Sequence, residues 1–385
     1  MNIPLFRIHH DNRDIEAISR VIDRGTSWAN GPEVEQFENE LSDYFDVKHC
    51  LVLNSGTSAL HLALLSLGIG PGDEVIVPSF TFIATVNAVL FVGATPVFAD
   101  IEPETMGLNP PSYGNGIIDV MTMKTKAIIP IHYGGLPCKE IENIRKFVEY
   151  SNTIKNCRHI HIIEDACESF GTEINGKKVG TFGDIGILSF CQNKLITTGE
   201  GGAVITDSKE LYEKMKLLRS HGREDSGDYF HGGVSEYKAL GYNFRMSSMQ
   251  AALGLSQMEK LPLIINRRWT LSKYLDDRLS EIDEIKILNY GGLDTIRLFY
   301  TIQLKDRDTR DRLSGYLNGH GISTKVYFEP VHRTPFYAGM GYYDVDLPET
   351  MKASETVLSL PFYVDMTIDR MDYIIHKLEK FFLGE

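Results

Sequence analysis

Between residues 50 and 210, short apolar runs alternate with segments whose apolar residues recur at helical spacing. The runs at 50–53, 74–77, 96–99, 127–131, 159–163, 185–190 and 203–206 read as strands bounded by polar or glycine-containing turns. Segments 58–67, 82–91 and 139–150 read as helices lying between several of them. Strands that alternate with helices predict an α/β domain built on a mostly parallel sheet. Ligands of such sheets bind outside the carboxyl ends of the strands, so the polar residues that follow each strand should make chemical sense together.

Past about residue 250 the pattern changes. Segments 249–258 and 269–279 read as helices, 298–304 as a strand, 309–318 as a helix and 368–382 as a last helix. This predicts a large domain over 1–260, including the N-terminal segment, and a smaller α+β domain over 261–385, joined by a helix near Leu261. The chain carries no low-complexity tract, long linker or internal repeat.

Composition narrows the function classes. The 385 residues are 43% hydrophobic and 24% charged, which is ordinary for a globular chain with a real core. A formal net charge of −13 disfavours an open nucleic-acid-binding surface, though not a local basic pocket for one anion. Cys50, Cys138, Cys157, Cys167 and Cys191 are odd in number, widely spaced and free of any CxxC pair, so neither a disulfide framework nor a metal site is expected. No segment has the length and apolarity of a membrane span, and the first residues have no apolar signal core. A reducing, cytoplasmic location is the expectation.

The candidate chemistry sits just after the strands. The run 50–53 leads into Asn54-Ser55-Gly56-Thr57-Ser58 and then a helix. Gly56 permits a tight turn, and hydroxyls with free N–H groups at a helix start attract an anion. The same residues fit an ordinary capped helix equally well. The run 159–163 ends in Glu164-Asp165-Ala166-Cys167-Glu168, carboxylates that are costly to leave unpaired in a crevice. They fit solvation, capping, a metal or the protonated nitrogen of a bound heterocycle. After 185–190 comes Lys194, set in an apolar turn rich in Gly and Thr, with Gly199, Gly201 and Gly202 close behind. A lysine there is either a surface residue or an amine withdrawn from water for imine chemistry. An anion-binding helix start, an acid after one strand and a Ser and a Lys after the next are together the parts of a pyridoxal-phosphate site.

In order along the chain, TSWANGPEVEQFE (26–38), NSGTSALHLAL (54–64), GDEVIVPSFTFIATVNAV (72–89), IPIHYG (129–134), IIEDACESFG (162–171), GTFGDIGILSFCQNKLITTGEGG (180–202), LRSHGRE (218–224), GYNFRMSSMQAAL (241–253) and PVHRTPFY (330–337) carry a resemblance over nearly the whole chain. The sequence resembles the DegT/DnrJ/EryC1/StrS sugar aminotransferase family, fold-type I pyridoxal-phosphate enzymes that make amino sugars on nucleotide carriers. The resemblance implies an aspartate-aminotransferase-like fold with a mostly parallel seven-stranded sheet and a small C-terminal α+β domain. It implies Lys194 as the Schiff-base lysine and proton shuttle, and Asp165 as the acid on the pyridine nitrogen. Phe82 would stack on one ring face and Cys167, usually Ala in this family, would lie on the other. Thr57, Ser58 and Ser189 would hold the phosphate beside Gly56, and Asn243 would reach it from the neighbouring subunit of a homodimer. Trp28, His221, Tyr327 and His332 match positions that line the sugar or nucleotide pocket.

Glu168 departs from the Gln or His found in many members, and there and in NKLITTGEGG the chain is similar to perosamine-synthase-like members. The implied reaction moves an amino group from L-glutamate to a nucleotide-diphospho-keto-6-deoxysugar at C4. Amination at C3, or of a cyclitol ketone, is the nearest alternative on the same scaffold. A non-catalytic pyridoxal-phosphate-binding regulator is the alternative from another class. Dehydratase members carry His in place of the lysine, whereas Lys194 is retained.

Overall fold

The alternating Val, Ile and Leu runs do form strands, and the order in which they pair decides where the site lies. The computed structural model describes residues 1–110, 114–154, 159–224, 236–288 and 295–384; Cys157 lies outside them. The chain begins with α1 (Asn12–Arg24) and α2 (Pro32–Phe45). Then come β1 (His49–Leu53), α3 (Gly56–Ser66), β2 (Glu74–Pro78), α4 (Ile83–Phe91), β3 (Thr95–Ala99), the short α5 (Ile117–Val120), β4 (Thr125–Ile128), α6 (Ile141–Thr153) and β5 (His161–Asp165). A small hairpin of β6 (Glu173–Ile174) and β7 (Lys177–Lys178) leads to β8 (Ile185–Ser189), β9 (Gly202–Thr206) and α7 (Lys209–Arg219). The remainder is α8 (Ser248–Glu259), α9 (Leu261–Leu279), β10 (Lys286–Ile287), β11 (Tyr300–Gln303), α10 (Arg307–Gly319), the single turn α11 (Pro335–Tyr337), α12 (Pro348–Thr356), β12 (Val357–Leu360) and α13 (Ile368–Leu383).

The main sheet has seven strands in the order β1-β9-β8-β5-β4-β2-β3. Pairing is parallel from β8 through to β3, while β9 runs antiparallel to both of its neighbours. Six strands therefore point one way. Successive residues of a strand enter different cores: Val52, Ile76 and Ile162 face α2, α6 and α8, whereas Leu51, Val75 and Ile163 face α3, α4 and α7. Both faces are covered, which is why the strands read as continuous apolar runs.

The smaller sheet is antiparallel, β10-β11-β12, and packs with α9, α10 and α13 around Leu271, Leu313, Ile374 and Tyr300. Ile3 joins this core, and its backbone N–H donates to the Gly321 carbonyl at 2.8 Å.

Some boundaries differ from expectation for local reasons. β4 stops at Ile128 rather than running to 131, because Pro130 has no N–H for the ladder. β5 lies two residues later than expected and carries Asp165 as its last residue, paired with Ile187. Pro262 starts α9 in the first turn, eight residues before the apolar pattern becomes clear. α1 and α2 were not marked by the apolar pattern at all; α1 buries only Asp14, Ala17 and Val21.

Asp14 is the node that fixes α1. It caps its own helix by accepting the Asp11 N–H at 2.9 Å. It also accepts from Ser256 Oγ at 2.8 Å and Gln257 Nε2 at 3.1 Å, and it pairs with the fully buried Lys260 at the junction of α8 and α9. Burial alone would raise the Asp14 carboxyl, but these donors together hold it below its ordinary value. Lys260→Met leaves that carboxylate buried without its cation. A loss of about 3 kcal/mol is expected in urea unfolding, largely restored in the double variant Asp14→Leu/Lys260→Met.

Candidate active site

Six strands run in one direction, so the segments that leave β1, β2, β4, β5 and β8 meet along one edge of the sheet. β9 starts at that edge, with Gly202 opposite Leu53 on one side and Ser189 on the other. The connection from β8 to β9 must therefore cross the same edge, and it carries Lys194. A cleft of about 530 Å³ opens there. Gly56, Thr57, Phe82, Asp165, Cys167, Glu168, Ser189, Lys194 and Tyr327 all line it.

Asp165 is buried at the floor, 8% exposed, with its carboxylate fixed from two directions. Thr85 Oγ1 donates to Oδ2 at 2.7 Å, and the Cys167 N–H donates to Oδ1 at 3.2 Å. Thr81 Oγ1 lies 2.9 Å from Thr85 Oγ1, one helical turn earlier. With the Thr85 hydroxyl hydrogen committed to Asp165, Thr81 donates to Thr85. This hydroxyl relay was not anticipated. Its signal was the i, i+4 pair of threonines around the start of α4 in SFTFIAT. Glu164 points to the opposite face of the sheet, as neighbouring strand residues must. There it is fully buried and accepts from the backbone N–H groups of Gly180 and Gly183 and from His132 Nε2 at 3.0 Å. His132 Nδ1 accepts the Cys138 N–H at 2.9 Å, so His132 is the neutral Nε2–H tautomer.

Threonine hydroxyls and backbone hydrogen bonds fasten the Lys194 turn. The Phe190 N–H donates to the Gly201 carbonyl and the Thr198 N–H to the Phe190 carbonyl, both at 2.9 Å. Thr197 Oγ1 donates to the same Phe190 carbonyl at 3.0 Å, and Thr198 Oγ1 donates to the Glu200 carbonyl at 2.7 Å. Lys194 Nζ, thereby held inside the cleft, lies 3.5 Å from Glu168 Oε1. The other Glu168 oxygen accepts the Gly134 N–H at 3.1 Å. Burial pushes the Glu168 carboxyl up from its ordinary value despite the opposing pull of Lys194.

The start of α3 forms a tight cradle. Ser55 caps it by accepting the Ser58 N–H at 3.1 Å, and the Ser55 hydroxyl donates to Ser58 Oγ at 3.0 Å. A Cβ at Gly56 would lie 3.1 Å from Cys167 Sγ and 3.2 Å from Ser189 Cβ. A Cβ at Gly202 would lie 2.5 Å from the Gly56 nitrogen, so only glycine lets β9 pass beneath the helix start. Phe82 stands 59% exposed at the start of α4, its ring 6.3 Å from that of Phe328. Tyr327 stacks on Phe299 at 4.1 Å, with Lys325 Nζ 4.6 Å from its ring centre. Burial, followed by the Glu168 charge, pushes the Tyr327 phenol up to about 12. Lys325, Phe328, Asn193 and His132 also line the cleft, and patterning had given none of them a role.

Five expected residues lie outside this lining. Ser58 sits one residue beyond it, bonded to Ser55. Asn243 is exposed, its carbonyl accepting from Asn54 Nδ2 at 3.3 Å. Trp28 is 44% exposed, and its carbonyl accepts the Ser248 N–H. His221 is exposed with φ of 61°, its N–H donating to the Tyr242 carbonyl at 2.7 Å. His332 is fully buried behind Val331 and Thr334. Arg333 Nε donates to its Nε2 at 3.1 Å, which leaves Nδ1–H to donate to Ser79 Oγ at 2.6 Å.

A cleft of this size with an amine, a fixed carboxylate and a helix-start cradle fits pyridoxal phosphate: an aldehyde, a basic ring nitrogen and a dianion. Fold and site together define a pyridoxal-phosphate-dependent transferase of fold type I. The chain belongs to the DegT/DnrJ/EryC1/StrS aminotransferase family, whose model matches residues 9–379. It is 35% identical over 361 residues to the GDP-perosamine synthase of Caulobacter vibrioides, covering 92% of each chain. Among solved structures it matches Helicobacter pylori PseC, an aminotransferase of pseudoaminic acid biosynthesis, with a TM-score of 0.90 and 28% identity over 100% of both chains. It matches DesV of S. venezuelae, solved in complex with a ketimine intermediate, with a TM-score of 0.87 and 30% identity over 99% and 98% of the two chains. The chain is thus a sugar aminotransferase that uses pyridoxal phosphate. Among the described residues, no helix is long and apolar enough to cross a membrane.

Burial, followed by the Arg333 charge, lowers the His332 imidazole to about 4. An unfolded histidine takes up its proton near pH 6.5. Between pH 6.5 and 4 the unfolded chain binds a proton that the folded chain refuses, so stability falls as pH falls through that window, by about 3 kcal/mol in full. Urea midpoints measured at pH 7 and 4.5 are expected to show this loss, and His332→Asn to remove that part of it.

Proposed function

We propose that this aminotransferase moves an amino group from L-glutamate to C4 of a nucleotide-diphospho-4-keto-6-deoxysugar, with GDP as the carrier. The observation that carries the reading is the meeting of Lys194 and Asp165 in one cleft beside the start of α3. The C4 position and the GDP carrier draw support from the likeness to a GDP-perosamine synthase.

Each residue has a distinct task in this reading. When bound, pyridoxal phosphate supplies an aldehyde for amino groups and a ring that delocalises the electron pair left at the substrate carbon. Lys194 Nζ would hold that aldehyde in the resting enzyme and, once free, would take the proton from the donor carbon and later deliver one to the sugar carbon. Asp165, oriented by Thr85 and the Cys167 N–H, keeps a proton on the ring nitrogen. The N–H groups at Gly56 and Thr57, with the hydroxyls of Thr57, Ser58 and Ser189, hold the phosphate. Phe82 and Cys167 cover the two ring faces and exclude water. Tyr327 contacts the sugar.

We further propose a homodimer in which the exposed Asn243, Trp28 and His221 act at the partner's cleft, and His332 shapes the wall from behind Val331. We also propose domain limits at 1–260 and 261–385, supported by a seven-stranded sheet that ends at Thr206 and a three-stranded one that begins at Lys286, with Ile3 reaching across into the smaller core.

Reconstituted protein should show a visible absorbance band that shifts on adding glutamate. Incubation with glutamate and UDP-, GDP- or dTDP-linked 4-keto and 3-keto sugars, followed by mass spectrometry, should give an amino sugar from the GDP-linked 4-keto substrate. Turnover confined to 3-keto substrates would overturn the C4 assignment. Lys194→Ala is expected to lower kcat by roughly 10³-fold or more while still binding cofactor non-covalently.

A further inference from the structure

Both substrates of the proposed reaction are anions, and they enter one cleft in turn. L-Glutamate brings two carboxylates, and the carrier of the sugar brings a diphosphate. The cleft itself is acidic: Asp165, Glu168, Glu200 and Glu329 line it, against Lys194 and Lys325. His132 adds no charge, since its ring nitrogens are bonded to Glu164 and to the Cys138 N–H as the neutral tautomer. An anion brought among those carboxyl groups is repelled unless a cation meets it. On the transamination reading, the N–H groups and hydroxyls at the start of α3 are committed to the cofactor phosphate, and Lys194 to its aldehyde. Among the described residues that line the cleft, Lys325 is the cation left over.

The setting of Lys325 leaves its charge available. Its backbone is fixed: the N–H donates to the Ser359 carbonyl at 3.2 Å, and the carbonyl accepts the Ser359 N–H at 2.8 Å, beside β12. Its side chain is exposed, with no carboxylate oxygen within 4.0 Å of Nζ among the described residues. Nζ rests instead over the Tyr327 ring, 4.6 Å from its centre, and Tyr327 stacks on Phe299. Tyr327 and Asn193 line one small pocket, and Asn193 precedes Lys194, so Tyr327 bridges from Lys325 to the segment that carries the reacting amine. The next cation along this wall, Arg333, lies outside the lining, with its Nε donating to His332 and its guanidinium over the Tyr343 ring. A compact charge with three rotatable donors on a flexible stem can meet a carboxylate or a phosphate.

We propose that Lys325 is the anion-recognising residue of the cleft in both half-reactions. Its ammonium meets a carboxylate of the amino donor first and the diphosphate of the sugar carrier next. The proposal rests on the transamination reading, in which the two ligands never occupy the cleft together.

Two titrations of the full-length protein test it, one for each ligand. Protein loaded with pyridoxal phosphate is mixed with L-glutamate alone, and the rate of the absorbance change is followed to saturation. Protein loaded with pyridoxamine phosphate is titrated with GDP, UDP and dTDP by calorimetry. Lys325→Met keeps the stem over Tyr327 and removes the charge. It is expected to raise the half-saturating glutamate concentration and the dissociation constant of the bound nucleotide by roughly ten- to a hundred-fold each. Lys325→Arg, which keeps the charge, is expected to restore most of both. Added salt should weaken both ligands in the wild type, and less steeply in Lys325→Met.

Wild-type affinities in Lys325→Met overturn the proposal, and are the result to expect if a second subunit supplies the cation. A loss for one ligand alone overturns the shared role. Wild-type protein that glutamate leaves unchanged, or that binds none of the three nucleotides, sinks the transamination reading itself. A responsive wild type matched by Lys325→Met sinks only the role of Lys325.

Discussion

Strand direction is the constraint on which the rest of this structure depends. Six of the seven strands point the same way, and β9 is inserted against them between β1 and β8. Had β9 run parallel, its connection from β8 would have crossed to the far edge and taken Lys194 away from Asp165. The reversal keeps the connection short and on one edge. It also forces the backbone at Gly202 against the start of α3, a contact that only glycine allows. Close packing of the Lys194 connection, the Gly56 turn and Ser189 is thus a consequence of topology.

Burial then sets what each charge must find. Asp14 draws Lys260 and three further donors, Glu164 draws His132 and two backbone N–H groups, and Asp165 draws Thr85 and the Cys167 N–H. These carboxylates are satisfied by protein. Glu168 differs in leaning on Lys194, a residue that itself lines the cleft.

Much of this was legible beforehand, for identifiable reasons. Strands buried on both faces leave long Val and Ile runs, so all seven strands of the main sheet were marked within three residues at either end, and Pro130 explains the early end of β4. The motifs around Gly56, Asp165 and Lys194 were visible because each follows a strand. α1 escaped notice because much of its burial is polar: Asp14 faces Ser256, Gln257 and Lys260, residues some 240 positions away. Thr85, Lys325 and Phe328 escaped for a related reason. They have ordinary helix or loop sequences around them, and their relevance comes from what lies opposite.

By itself the sequence determined the period of each element, the polar residues that follow each strand and hence the chemical kinds present in the site. Those are local properties, set by side-chain spacing of two or 3.6 residues and by the few residues that turns permit. Tertiary structure alone decided which of those residues meet. It turned Glu164 away from the cleft and Asp165 into it, placed His332 behind the wall, brought Thr85 onto Asp165 and set Lys194 beside Glu168. These outcomes depend on strand order and on the cost of burying a charge, and both are settled only when distant segments pack.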